Sequence, residues 1–355
     1  MSDFRIKNGV LVKYTGKDIE VKIPDSITAI GISAFEGCSN IASVSIPNSV
    51  ASIGSRAFWQ CGSLSNIEIP NSVTRVGSYA FCGCSNLCRV AIPESISTIE
   101  RSVFDGCSSL TSATIPNSIT SIGHSAFNCC GSLTSFNIPD SVTFIDSYAF
   151  SNCSSLMNII IPNAISSIGN YLFSGCTNLT SVTIPASVTS IGNYAFSGCT
   201  SLADITIPNS VISIGNGVFR GCYSLTNVEI PDSVASMGKG VFDGCRNLHS
   251  VTLPDSIASV QNETFHGCKE LTNIKLPDSV TSIGKSAFSA CTNLTSILLP
   301  NSVENIENET FQRCTSLTAV TLPNSAATIG TAAFEGCCSL TSISISYYFQ
   351  IALHH

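Results

Sequence analysis

Apolar and polar positions follow one block of 23 residues, which recurs along this chain from each proline to the next. Counting the proline as position 1, position 12 is always Phe and position 15 is always Cys. Position 18 is Leu in every block except the one that carries Ile41, and positions 21 and 23 are apolar throughout. A fixed period of this length predicts a solenoid in which each block forms one coil.

The end of each block predicts a β-strand. Ser181-Val182-Thr183-Ile184 alternates polar and apolar residues, which is the period of a strand with one buried face. The following Pro185 has no N–H and ends the strand. Asn-Ser and Asp-Ser pairs after the prolines favour a turn. Val188 and Ile191 then predict a second, short extended segment on the return side of the coil.

The middle of each block predicts one helical turn, as at Tyr194-Ala195-Phe196-Ser197. Gly198 after it fits a left-handed C-cap, and Asn152 suits the same position in another block. The earlier glycine, at position 8, gives way to other residues, so we expect that a positive φ is not required there. The residues in its place include Glu100, Gln261 and Glu307.

No coil can bury its own apolar side chains, so stacking must convert each repeated position into a ladder of like residues. The fold class predicted is therefore a repeat solenoid, α/β leaning to β, with parallel strands and a right-handed superhelix. Its divisions are an N-terminal cap at 1–23, fourteen repeats at 24–345, and an atypical C-terminal cap or tail at 346–355. The cap is expected to form a hairpin around Asn8-Gly9.

These residues resemble the BspA-like branch of the leucine-rich repeat superfamily. The matching core reads L-x-x-V-x-I-P-x-S-V-x-x-I-G-x-x-A-F-x-G-C, and Asn8-Gly9-Val10-Leu11 resembles part of that branch's usual cap. The resemblance covers essentially the whole chain. It implies a right-handed solenoid with a concave parallel sheet, used mostly to bind proteins or cell surfaces.

Charge and composition narrow the function. Charged residues are only 11% of the chain and the net charge is −7, which gives no electrostatic case for nucleic acid or an anionic membrane. No apolar run approaches the length of a membrane span. The start Met1-Ser2-Asp3-Phe4 lacks the features of a signal peptide, which favours the cytoplasm. The alternative is a secreted or cell-surface protein whose signal has been removed.

The 18 cysteines are predicted to be structural thiols, because fourteen of them recur at one buried ladder position. Their spacing lacks the paired pattern of a zinc site, so no metal or cofactor is expected. His124, His249 and His266 fall at three different repeat positions and would not converge. We find no catalytic constellation, and the chain is predicted not to be an enzyme.

The surface contains two candidate interfaces. Tyr148, Tyr171 and Tyr194 share position 10 in consecutive coils, within a stretch from Gly106 to Ala203 whose only charges are two aspartates. They indicate either an interface or packing along the coil edge. The second candidate is the exposed strand face, where Ser, Thr and Asn predominate; its charged exceptions are Glu68, Arg89, Asp204, Glu229 and Lys275.

Two functions follow as hypotheses: a non-enzymatic scaffold that binds a protein partner, and an adhesin that binds host protein, matrix or glycan. A monomer is favoured because the apolar tail at 346–355 can cover the last coil. The alternative is an end-to-end dimer through an open C-terminal strand edge.

Overall fold

The computed structural model describes residues 3–326 and 328–345 and forms a β-solenoid of about fifteen coils with about 23 residues per turn. The chain divides into two compact units, Met1–Val188 with Ala195–Leu202, and Thr189–Tyr194 with Ala203–His355. Within each unit the strands repeat at two places of the coil. We call them the V-x-I strands, at positions 20–23, and the return strands, at positions 6 and 7. None of the residues that the structure describes belongs to a membrane-spanning helix.

Unit 1 opens with an antiparallel hairpin of β1 and β2, and every later strand pair is parallel. Each residue of a V-x-I strand pairs with the residue at the same repeat position in the adjacent coil, as Arg89 does with Ser112. The hairpin strands are β1 (Phe4–Lys7) and β2 (Val10–Tyr14). The V-x-I strands are β3 (Glu20–Lys22), β5 (Ser43–Ser45), β7 (Asn66–Ile67), β9 (Arg89–Ala91), β11 (Ser112–Thr114), β14 (Asn158–Ile160) and β16 (Ser181–Thr183). The return strands are β4 (Ala29–Ile30), β6 (Ser52–Ile53), β8 (Arg75–Val76), β10 (Thr98–Ile99), β12 (Ser121–Ile122), β13 (Phe144–Ile145) and β15 (Ser167–Ile168).

Unit 2 repeats the same two sets of parallel strands. The V-x-I strands are β19 (Asn227–Glu229), β21 (Ser250–Thr252), β24 (Ser296–Leu298), β26 (Ala319–Leu322) and β28 (Ser342–Ile345). The return strands are β17 (Ser190–Ile191), β18 (Ser213–Ile214), β20 (Ser236–Met237), β22 (Ser259–Val260), β23 (Ser282–Ile283), β25 (Asn305–Ile306) and β27 (Thr328–Ile329).

The position-12 phenylalanines form stacked ladders inside each unit. The ring centroids of Phe81 and Phe104 lie 5.6 Å apart, and the rings are only 3° from parallel. The hairpin prolongs the ladder of unit 1, because Tyr14 lies 5.2 Å from Phe35 and Phe4 lies 5.2 Å from Tyr14. Phe334 and the register thiols Cys38 and Cys337 are only partly buried, contrary to the expectation for every coil, because they lie in the first and last repeats.

The predicted helical turn is wrong. Positions 9–16, which we call the turn edge, form consecutive turns, and no helix occurs in the described residues. Alternate backbone N–H groups bond to the next coil, as Phe35 N–H does to the Ala57 carbonyl, and the others bond three residues back. Positions 10 and 14 adopt positive φ in every repeat. The expected left-handed residue, such as Gly198, is therefore present, but it closes a stacked turn rather than a helix.

The serine that follows most of the prolines at position 3 has a structural role that the sequence did not reveal. The serine hydroxyl at position 3 donates to a carbonyl of the preceding coil, as Ser49 does to Ile27 at 2.7 Å and Ser72 to Val50 at 2.8 Å. These bonds occupy carbonyls that the short return strands leave unpaired. The tail at 346–355, on which the expected cap or dimer depends, lies outside the described residues.

Candidate functional site

The V-x-I strands of unit 1 carry a shallow groove that brings two candidate residues together. Glu68 and Arg89 are exposed and line one groove of about 640 Å³ with Asn66, Ser112 and Glu94. They lie on adjacent coils because β7 and β9 follow each other in the stack. The groove is open and lined by hydrogen-bonding groups of both charges. It can hold an extended polar surface but does not enclose a small molecule.

Unit 2 has equivalent grooves with a more acidic lining. Asp204 and Glu229 line one of about 440 Å³ together with Asn227. Lys275 lies in a neighbouring groove of about 360 Å³, beside Asp232 and Asp255. All three candidate residues are exposed. The strand face therefore offers carboxylates and amides in unit 2, with one lysine among them.

The candidate tyrosines occupy strained backbone positions on the turn edge. Tyr148 and Tyr171 stack at 4.6 Å with rings 8° from parallel, and both are half-buried. Their φ angles are 62° and 55°, in the left-handed region that bulky residues rarely adopt. Tyr194, in unit 2, has a φ of 55° and its ring lies where a side chain on Gly217 would be. The glycine thus makes room for that ring.

Sequence reasoning missed a second aromatic cluster on the turn edge of unit 1. The guanidinium carbon of Arg56 lies 5.7 Å from the ring centroids of both Trp59 and Tyr79. Trp59 is the only tryptophan of the chain. Arg56 and Tyr79 share position 10, one coil apart, and Trp59 lies three residues after Arg56. Those spacings were visible in the sequence, but the conformation of positions 10 to 13 was needed to bring the three together.

The register cysteines donate hydrogen bonds inside the core. Within each unit, buried thiols donate to the carbonyl of the ladder phenylalanine one coil earlier, as Cys61 does to Phe35 at 3.1 Å and Cys245 to Phe219 at 3.0 Å. Burial raises the pKa of Cys61 and of Cys176 to about 12. All 18 cysteines are free, and no group of metal-binding side chains lies together among the described residues. The thiols therefore act as structural donors that resist ionisation.

Three ionisable side chains, Arg220, Asp243 and His266, join consecutive coils on the turn edge of unit 2. The nearly buried carboxylate of Asp243 accepts from Arg220 Nε at 3.0 Å and pairs with His266 Nδ1 at 2.7 Å. The hydrogen bond to Asp243 is the main cause that raises the pKa of His266, and burial opposes it. The arrangement ties coils together through side chains, in addition to the backbone ladders.

This contact predicts a proton-linked stability. Because the folded-state pKa of His266 is raised, the stabilisation is complete below about pH 6.5 and is lost as pH rises through the folded-state value. His266→Gln should flatten the fall in urea midpoint between about pH 5.5 and about pH 8.5. His249→Gln serves as the control because His249 is exposed. This variant should retain the fall in urea midpoint of the wild type. Identical pH profiles for wild type and His266→Gln would contradict the assignment.

The stacked coils and the open grooves along their strands place the chain in the class of solenoid repeat proteins. The model of the BspA type leucine rich repeat region matches the chain at residues 12–132, 120–249 and 235–352. The chain therefore belongs to the BspA-type leucine-rich repeat family. Proteins built from these repeats generally mediate protein–protein interaction.

Solved structures agree with this family. A leucine-rich repeat protein from Bacteroides ovatus is 32% identical, with a TM-score of 0.73, over 96% of this chain and 91% of that one. A leucine-rich repeat protein from Eubacterium ventriosum is 23% identical, with a TM-score of 0.54, over 96% of this chain and 90% of that one, and supports the fold alone. No curated protein matches the chain.

Proposed function

We propose that this chain is a non-enzymatic scaffold that binds a protein partner through its V-x-I strand face. The observation that carries the proposal is the set of open grooves along that face, in which Glu68 and Arg89 meet in one unit and Asp204 and Glu229 in the other. Side chains at positions 20 and 22 are exposed or half-exposed in every described repeat, because position 21 between them faces the core in all repeats but the last. Repetition therefore extends a surface without changing the fold.

Charge pairs at such a face set specificity and encounter rate more than affinity. In unit 1 the exposed Arg89 and Glu68 present both signs within one groove. In unit 2 the carboxylates of Asp204 and Glu229 prevail. Each groove therefore selects for its own complementary charges, whereas the neutral Ser, Thr and Asn side chains of the strand face add hydrogen bonds without a charge preference.

The test is a quantitative pull-down from the native host with charge-reversal variants. Arg89→Glu should reduce capture of the specific partner about tenfold, because a favourable charge contact becomes a repulsive one. Arg75→Glu is the matched control, since Arg75 is an exposed arginine on the return strand β8 of the same unit. Equal capture by both variants would refute binding through the V-x-I face.

A second candidate, an adhesin for host protein, matrix or glycan, is favoured by the tyrosine column on an almost uncharged turn edge. Tyr148→Ser tests it with little risk to the fold, because Ser102 and Ser125 occupy the same repeat position with similar φ. Loss of surface binding by Tyr148→Ser, with Arg89→Glu unaffected, would favour the adhesin over the scaffold.

A further inference from the structure

We propose that Arg56, Trp59 and Tyr79 form a second docking site, separate from the strand face, which anchors an acidic segment of a protein partner that also carries an apolar side chain. We call these three residues the Arg56 cluster. This second docking site assumes a protein partner and therefore rests on the proposed scaffold role. It lies on the turn edge of unit 1, away from the V-x-I strands.

The first argument is the state of the guanidinium. Its carbon lies 5.7 Å from each of two aromatic centroids, so the rings of Trp59 and Tyr79 hold it by cation–π contacts. Within residues 3–326 and 328–345, no carboxylate forms an ion pair with Arg56. Arg220, by contrast, is neutralised by Asp243. A stacked guanidinium keeps its N–H edge free, and that edge matches a carboxylate in a two-pronged hydrogen bond.

The second argument is backbone strain. Arg56 and Tyr79 have φ angles of 56° and 63° at a repeat position that carries glycine in two coils, at Gly217 and Gly240, and serine or alanine in several others. Glycine adopts this conformation without a steric penalty, whereas residues with a Cβ do not. The fold thus accepts small residues here, and nothing in the packing of the core requires an arginine or a tyrosine.

The third argument is composition and charge. Trp, Tyr and Arg are the residues most enriched where alanine substitution removes most binding energy at protein interfaces. Arg56 is exposed, while Trp59 and Tyr79 are half-buried. The two rings are therefore held by packing but still present part of their surface to a partner. Residues 1–105 carry equal numbers of acidic and basic side chains, so this part of the chain does not repel an acidic segment as the whole chain, at −7, would.

Because Trp59 is the only tryptophan, its fluorescence reports on this site alone. The full chain is titrated with a blocked Glu-Phe-Glu-Phe-Glu peptide, its Gln-Phe-Gln-Phe-Gln counterpart, and inorganic phosphate, with calorimetry as a second readout. We expect a saturable change with the glutamate peptide and binding about tenfold weaker for the glutamine peptide, since a charge-assisted hydrogen bond is lost.

Variants then separate the guanidinium from its surroundings. Arg56→Gln should lower the affinity for the glutamate peptide about tenfold. Arg56→Lys should restore only part of that affinity, because lysine cannot make the two-pronged contact. Arg246→Gln is the matched control, since Arg246 lies over the single ring of Tyr223 in unit 2. It should leave the Trp59 signal unchanged.

Three results would overturn the proposal: equal binding of the glutamate and glutamine peptides, equal binding by wild type and Arg56→Gln, or saturation by phosphate at the same concentration as by the glutamate peptide. The proposed strand-face function fails differently, through equal capture by the Arg89→Glu and Arg75→Glu variants, so the two outcomes are distinguishable.

Discussion

Phe104→Ala should destabilise unit 1 by about 3–5 kcal/mol, the range for removing a buried aromatic ring. Phe104 has 0% of its surface exposed, and it stacks on Phe81 at 5.6 Å and on Phe127 at 5.4 Å. Its removal leaves a cavity between two rings whose positions are fixed by their own coils. The melting temperature and the urea midpoint should both fall.

The same variant tests how far the damage spreads. Each coil contacts only its neighbours, so amide exchange should accelerate first at positions 81 and 104, whose N–H groups bond to the next coil. Phe144→Ala is the control, because Phe144 lies on the return strand β13 with 53% of its surface exposed. The ladder would be refuted if both variants melted at the wild-type temperature.

The sequence predicted the solenoid because its period is strict. Fourteen prolines at one spacing, with Phe and Cys always at positions 12 and 15, leave no other way to bury the apolar residues than stacking. The Phe ladder and the parallel strands followed from that. The conformation of the turn edge did not follow, and a helical turn was wrongly predicted there, because its residues suit both a helix and consecutive turns. The choice depends on bonds to the next coil, such as Phe35 N–H to Ala57, which a single block does not contain.

The candidate site was less predictable than the fold. Alternation in the V-x-I strands correctly placed Glu68 and Arg89 on the exposed face, because side-chain direction follows from a period of two. That they line a common groove depends on the distance between coils. Arg56 and Tyr79 were not linked in advance, because their contact needs positive φ at position 10, where most coils carry residues with a side chain. Their roles as binding residues stay predictions.

Gly77→Ala should destabilise the protein by about 1–3 kcal/mol, through crowding rather than through φ. Gly77 does not have a positive φ, but a Cβ there would lie 2.5 Å from the Ser55 backbone nitrogen and 2.9 Å from the Gly54 carbonyl carbon. Both atoms belong to the neighbouring coil and cannot rotate away as a side chain would. The coil must therefore shift, which weakens the return-strand ladder between β6 and β8.

Gly62→Ala provides the control for this prediction, because the same substitution there meets only the Ser85 hydroxyl at 3.5 Å. Alanine at such an open site restricts the unfolded chain and should leave the urea midpoint unchanged or slightly raised. Glu100 occupies the position of Gly77 in the next coil. A coil can therefore adapt to a side chain at this position when the whole repeat is built around it. A single substitution lacks those adjustments. Equal urea midpoints for Gly77→Ala and Gly62→Ala would show that adjacent coils can move apart freely, contrary to the close stacking on which every ladder in the protein depends.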